Sequence, residues 1–127
     1  MATRAFPVIW SRAVGRAQQF YLRLGFEETY RQPAEGEPGY VSLRRGESEL
    51  GIVSTDWPRD HLGIATGTEP RFELYIYVDD VDATMSEFQD ALLKEAQDMP
   101  WGERVGYLRD PDGNPVVLAA AARTTAR

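Results

Sequence analysis

The residues best suited to hold a ligand or do chemistry are a carboxylate and two phenols at alternate positions of one segment, Glu73, Tyr75 and Tyr77. Alternation places their side chains on one face of a strand. There Glu73 could bind a ligand cation or amide, or act as an acid or base; the other interpretation is a solvated carboxylate paired with an arginine. The tyrosines either stack on a flat ligand and hydrogen-bond to it, or pack against neighbouring strands.

Several common catalytic chemistries lack the residues that they need. The chain has no cysteine, which removes thiolate metal sites and a cysteine nucleophile. Its one histidine, His61, lies in a loop-like segment with no positioned partner in the sequence, so we interpret it as a solvent-exposed residue. Neither a phosphate-binding glycine loop nor a nucleophile elbow is present.

Length and charge indicate an ordinary globular domain. The chain has 127 residues and a net charge of −6, so nucleic acid is a poor partner. No apolar run approaches the roughly 20 residues that cross a membrane, and we see no signal-peptide pattern. Because cysteine is absent, we expect a cytoplasmic protein.

The first half of the chain, residues 5–53, reads as a strand, a helix and further strands. The helix is predicted over residues 14–24, where apolar residues fall at helical spacing, and Gly25 ends it. The strands are predicted at 5–10, 26–31, 40–43 and 49–53.

The second half, residues 71–120, repeats this order after a linker at 54–70 that is rich in glycine and proline. Its first strand, 71–78, alternates apolar and polar residues. Asp80 or Asp82 caps the next helix, which we predict to end near Ala91. One side of this helix carries Val81, Met85, Phe88 and Leu92.

The clearest turn lies within Val105–Leu118, where Asp110–Pro115 separates two apolar runs. Pro111 presets φ and Gly113 tolerates positive φ, so we predict a β-hairpin.

Two small βαβββ units cannot each bury a sheet face alone, and pairing them solves this. We therefore predict an α+β fold, with two βαβββ units forming a curved mixed or antiparallel sheet. Residues 1–127 form one domain in this interpretation, and residues 121–127 are a weak tail.

Four motifs resemble the glyoxalase/bleomycin resistance/extradiol dioxygenase (vicinal oxygen chelate) superfamily. They are Phe20–Phe26 (FYLRLGF), Val78–Asp82 (VDDVD), Pro100–Gly102 (PWG) and Asp110–Asn114 (DPDGN). They occur in order over nearly the whole chain. The resemblance implies that each unit curls into a half-barrel, and that the concave faces form a ligand cleft, usually completed in a homodimer.

The resemblance also implies four inward positions that hold ligands in the metalloenzymes of the family. Carried over by spacing, the first is Phe6, the third is Glu73 and the fourth is Val117. The candidates for the second are Glu49, Leu50 and Gly51. Because Phe6 and Val117 cannot bind a metal, we expect neither a metal nor another cofactor.

The residues that the resemblance brings to the cleft are mostly aromatic or apolar. They are Phe6, Trp10, Glu49, Trp57, Glu73, Tyr75, Tyr77, Trp101 and Val117. Trp57 and Trp101 occupy positions that often wall the cleft in this family, and Trp101 serves equally as a turn or interface residue. Trp10 either lines the cleft or packs at a dimer seam.

These observations predict a metal-free protein that binds and sequesters a small aromatic molecule, including a cationic antibiotic, as bleomycin-resistance proteins do. The alternative is an enzyme of the lyase, isomerase or dioxygenase type. It would use Glu73 with Glu49 in a degenerate metal site, or Glu73 alone in acid–base chemistry. A third hypothesis is a partner-binding module whose cleft is closed by side chains.

Overall fold

The computed structural model describes residues 2–122, which form two compact units that divide between Thr68 and Glu69. Each unit has one four-stranded mixed sheet with an α-helix after its first strand. In both sheets the first strand pairs in parallel with the last, and the other neighbours pair antiparallel. The predicted α+β fold of two βαβββ units is therefore confirmed.

The first unit has its sheet order as first, fourth, third and second strand. Its elements are β1 (Val8–Ser11), α1 (Val14–Leu22), β2 (Glu27–Gln32), β3 (Tyr40–Arg45), β4 (Ser48–Ser54) and a π-helical turn (Pro58–Leu62). Helix α1 packs against β3 and β4. The row Ile9, Val41 and Ile52 is buried on one face of the sheet, and alternation puts Trp10 and Tyr40 on the other.

Gly25 ends α1 as the sequence predicts, in a conformation that favours glycine. Its φ is +96°, and its N–H donates to the Leu22 carbonyl at 3.1 Å while the Phe26 N–H donates to Tyr21 at 3.2 Å. This pair of bonds is the Schellman arrangement. The Phe26 and Tyr21 rings meet edge to face at 5.9 Å, which fixes how the chain leaves the helix.

The second unit repeats the sheet order of the first. Its elements are β5 (Leu74–Tyr77), α2 (Val81–Ser86), a 3₁₀ turn (Gln89–Ala91), β6 (Leu92–Asp98), β7 (Glu103–Arg109) and β8 (Pro115–Ala121). Strands β7 and β8 are the predicted hairpin. Helix α2 begins at the cap Asp80, whose Oδ1 accepts from the Ala83 N–H at 3.0 Å. Most of the predicted tail, residues 123–127, lies outside the described residues.

The helix of the second unit is shorter than the sequence predicts. It ends at Ser86, and the prediction that Leu92 belongs to its apolar side is wrong, since Leu92 opens β6 opposite Leu108 and is 40% exposed. Val81, Met85 and Phe88 are buried as expected. A 3₁₀ turn follows the α-helix and keeps a nearly helical spacing of side chains for three more residues. The pattern of apolar residues therefore extends beyond the end of the α-helix. Across residues 2–122, no helix combines the length and apolar character that a membrane span requires.

Candidate functional site

Three exposed aromatic side chains of the second unit converge on one carboxylate. The hydroxyl of Tyr75 donates to Glu103 Oε1 at 2.8 Å and that of Tyr77 to Oε2 at 2.7 Å, while the Trp101 indole N–H donates to Oε1 at 3.0 Å. The two tyrosine rings lie 5.5 Å apart and are inclined by 47°. We call Tyr75, Tyr77, Trp101 and Glu103 the Glu103 cluster.

Strand geometry explains why these side chains meet. Tyr75 and Tyr77 are alternate residues of β5, and their parallel partners in β8 are Val117 and Ala119. Ala119 in turn faces Val105 of β7, and Glu103 lies two residues before Val105 on the same face. Helix α2 covers the opposite face, because a side chain at Gly106 would meet Met85. The aromatic face is therefore the one that this helix leaves open.

The carboxylate and the phenols of the cluster shift one another's pKa in opposite directions. Hydrogen bonds from Tyr77, Tyr75 and Trp101 lower the pKa of Glu103, because they favour its ionised form. The same bonds to Glu103, followed by desolvation, raise the pKa of both Tyr75 and Tyr77. At neutral pH the cluster therefore holds one ionised carboxylate and two neutral phenols.

The Glu103→Gln variant should move the titration of two of the six tyrosines, Tyr75 and Tyr77, to lower pH. Removing the negative charge lets each phenol ionise more readily. A raised phenol pKa adds stability that is complete below the unfolded-state pKa, about 10, and is lost as pH rises through the folded-state value. The ultraviolet absorbance of phenolate, followed against pH, measures the shift.

The matched control for this titration is Glu47→Gln, which removes an exposed carboxylate from the turn between β3 and β4. It should leave the tyrosine titration as in the unmodified protein. Coincident curves for Glu103→Gln and the unmodified protein would contradict the hydrogen-bonded cluster.

The first unit has a separate aromatic cleft of about 400 Å³. Its lining includes Tyr40, Val53, Asp56, Trp57, Asp60 and His61. His61 is exposed as the sequence predicts, and its ring stacks on that of Trp57 at 3.7 Å between centroids with an angle of 18°. Arg59 forms ion pairs with the two carboxylates of the lining, at 3.2 Å and 2.9 Å.

Two predicted site residues of the first unit are held by an arginine that the sequence analysis did not single out. The guanidinium of Arg4 lies 4.8 Å from the centre of the Phe6 ring. It also donates to both carboxylate oxygens of Glu49, with a shortest distance of 2.6 Å. Hydrogen bonding to Arg4 lowers the pKa of Glu49. A charge pattern alone does not reveal this contact, because Arg4 and Glu49 are far apart in sequence.

The remaining predicted residues have different surroundings. Val117 is 2% exposed and packs in a cluster with Val105 and Ala119. Trp10 is half-buried in β1 beside Val53 of β4. Glu73 is exposed and lies just before β5, and no hydrogen bond or ion pair within residues 2–122 joins it to the Glu103 cluster. Its role at the site stays a prediction.

Glu103 is the functional candidate that sequence reasoning missed. The signal available was the two-residue spacing of Trp101, Glu103, Val105 and Tyr107, which places their side chains on one face of a strand. That spacing does not indicate that the tyrosines of β5 lie within hydrogen-bond distance of Glu103.

The described side chains also bear on whether a metal ion could be bound. In the part of the chain that the structure describes, no group of three or more histidine, cysteine, aspartate or glutamate side chains could hold an ion. Of the positions that the family uses, Phe6 and Val117 have no donor atom and Glu49 is bound by Arg4. The residues present do not fit a transition metal, which takes three or four nitrogen, oxygen or sulfur ligands.

Known structures share this fold at low sequence identity. TioX from Micromonospora sp. ML1 is 23% identical with a TM-score of 0.77, over 94% of this chain and 100% of that chain. A bleomycin-binding protein complexed with bleomycin is 23% identical with a TM-score of 0.62, over 95% and 100% of the two chains. Lactoylglutathione lyase from Agrobacterium tumefaciens is 19% identical with a TM-score of 0.69, over 93% of each.

A search of curated proteins found no match. A profile of the Glyoxalase/Bleomycin resistance protein/Dioxygenase superfamily matches residues 6–118. This range holds both helices, all four members of the Glu103 cluster and both sheets except the last three residues of β8. The chain therefore belongs to the Glyoxalase/Bleomycin resistance protein/Dioxygenase superfamily.

Proposed function

We propose that this protein binds a small aromatic molecule, including cationic antibiotics, and sequesters it without a metal. The observation that carries the proposal is the exposure of the Glu103 cluster. Tyr75, Tyr77 and Trp101 are 45%, 57% and 62% exposed, yet each donates a hydrogen bond to the same carboxylate. Rings that are held in place before binding lose little conformational freedom when a ligand stacks on them.

The aromatic cleft of the first unit supports the same kind of ligand. Trp57 is 52% exposed and is stacked on His61, and Tyr40 and Val53 add a further ring and an apolar surface to the lining. Ligand pockets are commonly apolar and aromatic with a few polar groups that set orientation. Both units therefore offer surfaces suited to a flat, partly apolar molecule.

The comparisons support ligand binding, and they also support one alternative function, that of an enzyme. One structure with this fold is a bleomycin-binding protein in complex with bleomycin, and another is a lactoylglutathione lyase. The alternative function is therefore a lyase, isomerase or dioxygenase, with Glu73 as its acid or base or as part of a degenerate metal site with Glu49. The ion pair between Glu49 and Arg4 argues against that metal site, since Arg4 already binds one of the two carboxylates that the site would use.

The same protein has an expected oligomeric state and an expected place in the cell. We propose one domain over residues 1–127, acting as a homodimer in the cytoplasm. A chain without cysteine suits a reducing compartment, and large exposed apolar side chains such as Leu62 and Ile64 suit a subunit interface. Sedimentation equilibrium of the purified protein tests the dimer.

Binding is tested by calorimetric titration with a panel of aromatic antibiotics, bleomycin among them. Tyr77→Ala or Trp57→Ala should weaken binding about tenfold, because an aromatic pair contributes roughly 0.5–1.5 kcal/mol beyond the burial of its area. The two variants also identify which unit holds the ligand. Leu93→Ala, which removes a 39% exposed apolar side chain from β6, is the matched control and should bind normally.

Mass spectrometry of the recovered antibiotic separates sequestration from catalysis. Sequestration requires that the compound returns unchanged, with a stoichiometry of binding that stays constant over time. Conversion of the compound, or a stoichiometric transition metal in the purified protein, would favour the enzyme instead. Normal affinity in both Tyr77→Ala and Trp57→Ala would remove the aromatic surfaces as the binding site.

A further inference from the structure

We propose that the Glu103 cluster is a subsite for a compact ammonium group of the bound molecule. This inference rests on the proposed function, because it names the charged group that the same aromatic surface would hold. It follows from the number of hydrogen bonds that the carboxylate already accepts, from the absence of a cationic partner among the described residues, and from the arrangement of the rings.

The carboxylate of Glu103 has one acceptor position left. An ionised carboxylate offers about four lone-pair positions on its two oxygens. Oε1 accepts from Tyr75 and Trp101, and Oε2 accepts from Tyr77. Three neutral donors leave room on Oε2 for a single further N–H.

The negative charge of Glu103 is not neutralised by any cationic side chain within residues 2–122. Its neighbour Arg104 lies on the other face of β7 and pairs with Asp82 at 2.7 Å and with Asp98 at 3.1 Å. Glu49 provides the contrast in this chain, because Arg4 binds both of its oxygens. The charge at Glu103 thus remains for a ligand.

The rings of Tyr75 and Tyr77 also favour a cation. Tyr75 and Tyr77, inclined by 47° at 5.5 Å, present π-faces beside the carboxylate. A cation near such a face gains about 0.5–1 kcal/mol at an exposed site. A planar guanidinium would need two parallel acceptors to form its bidentate pair, and the cluster has one. A compact ammonium with one N–H fills the free acceptor position and also meets the charge and the faces.

The test uses three probes that share a benzyl group: N,N-dimethylbenzylammonium, which has one N–H, benzylguanidinium and benzyl alcohol. Calorimetric titration of the intact protein should give the tightest binding for N,N-dimethylbenzylammonium, with benzyl alcohol about tenfold weaker. Glu103→Gln should remove this tenfold advantage and leave benzyl alcohol unchanged. Glu47→Gln, which changes net charge equally at an exposed turn of the first unit, should retain it.

A second variant tests the count of acceptor positions. Tyr77→Phe keeps the ring and removes the hydrogen bond to Oε2, which leaves a second acceptor position on that oxygen. Binding of benzylguanidinium should then strengthen relative to N,N-dimethylbenzylammonium, by several-fold. An unchanged ratio would contradict the acceptor count, because a merely structural cluster predicts no change in selectivity.

The outcomes also separate this inference from the proposed function. Equal affinity for the three probes, unaffected by Glu103→Gln, would overturn the ammonium subsite while aromatic binding stands. No binding of N,N-dimethylbenzylammonium, together with tight binding of a neutral aromatic antibiotic, would overturn it as well. If no aromatic compound of either kind binds, the proposed function itself fails.

Discussion

Replacing Asp110 with alanine should lower the free energy of unfolding by about 3 kcal/mol. Asp110 is 3% exposed, and its carboxylate accepts from the backbone N–H groups of Asp112 at 2.9 Å and Asn114 at 2.8 Å. The Asn114 side-chain amide donates to it at 3.2 Å. Hydrogen bonds to a charged group contribute about 1.5–3 kcal/mol each, and buried donors that lose their acceptor are costly. Water that enters the shortened site offsets part of the loss.

The turn that Asp110 stabilises also holds the segment that precedes β5. The Asn114 side-chain oxygen accepts from the Arg71 N–H at 3.2 Å, three residues before β5. Strand β5 carries Tyr75 and Tyr77. The hairpin turn therefore supports the strand that presents both phenols. We expect Asp110→Ala to lower ligand binding only as far as it raises the fraction of unfolded protein.

Urea denaturation followed by circular dichroism measures the change. Asp79→Ala removes an exposed carboxylate from the segment between β5 and α2, and should change the unfolding free energy by less than about 0.5 kcal/mol. Asp110→Asn keeps the size of the side chain and one acceptor oxygen, so we expect an intermediate loss. Equal stability of Asp110→Ala and the unmodified protein would show that water replaces the carboxylate fully.

Local signals explain why the fold could be predicted from the sequence. The end of α1 needs a residue that tolerates positive φ, which Gly25 provides. The first turn of α2 has a free N–H at Ala83, and the Asp80 side chain accepts from it. The hairpin turn has its polar and glycine residues within six positions. Each of these signals is decided by neighbours in sequence, so one chain is sufficient to read it.

The candidate site could be predicted only in part, because its contacts are not local. Tyr75, Tyr77 and Trp101 were predicted as ligand residues from their type and from the family resemblance. Their common partner Glu103 depends on the parallel pairing of β5 with β8 and the antiparallel pairing of β8 with β7. A single sequence does not state these pairings. Arg4 was missed for the same reason, since its partner Glu49 is 45 residues away.

The Gly106→Ala variant should lower the free energy of unfolding by about 2 kcal/mol, the usual range for overpacking being about 1–3 kcal/mol. A Cβ at Gly106 would overlap the Met85 sulfur and lie 2.9 Å from its methyl carbon. Met85 is 7% exposed and belongs to α2, which packs against β6, β7 and β8. Both atoms are at the flexible end of the Met85 side chain, so the variant forces this buried side chain into another rotamer or moves the helix.

A double-mutant cycle with Met85→Ala tests this reason directly. Met85→Ala alone leaves a cavity and should cost about 2–5 kcal/mol, whereas the alanine methyl at position 106 fills part of that cavity. The double variant should therefore be at least 1 kcal/mol more stable than the sum of the single changes predicts, roughly the coupling expected for residues in contact. Gly39→Ala is the control, because its Cβ would meet only the Gln32 carbonyl at 3.9 Å. Additive effects of Gly106→Ala and Met85→Ala would contradict the contact, and the close packing of α2 would then need another cause.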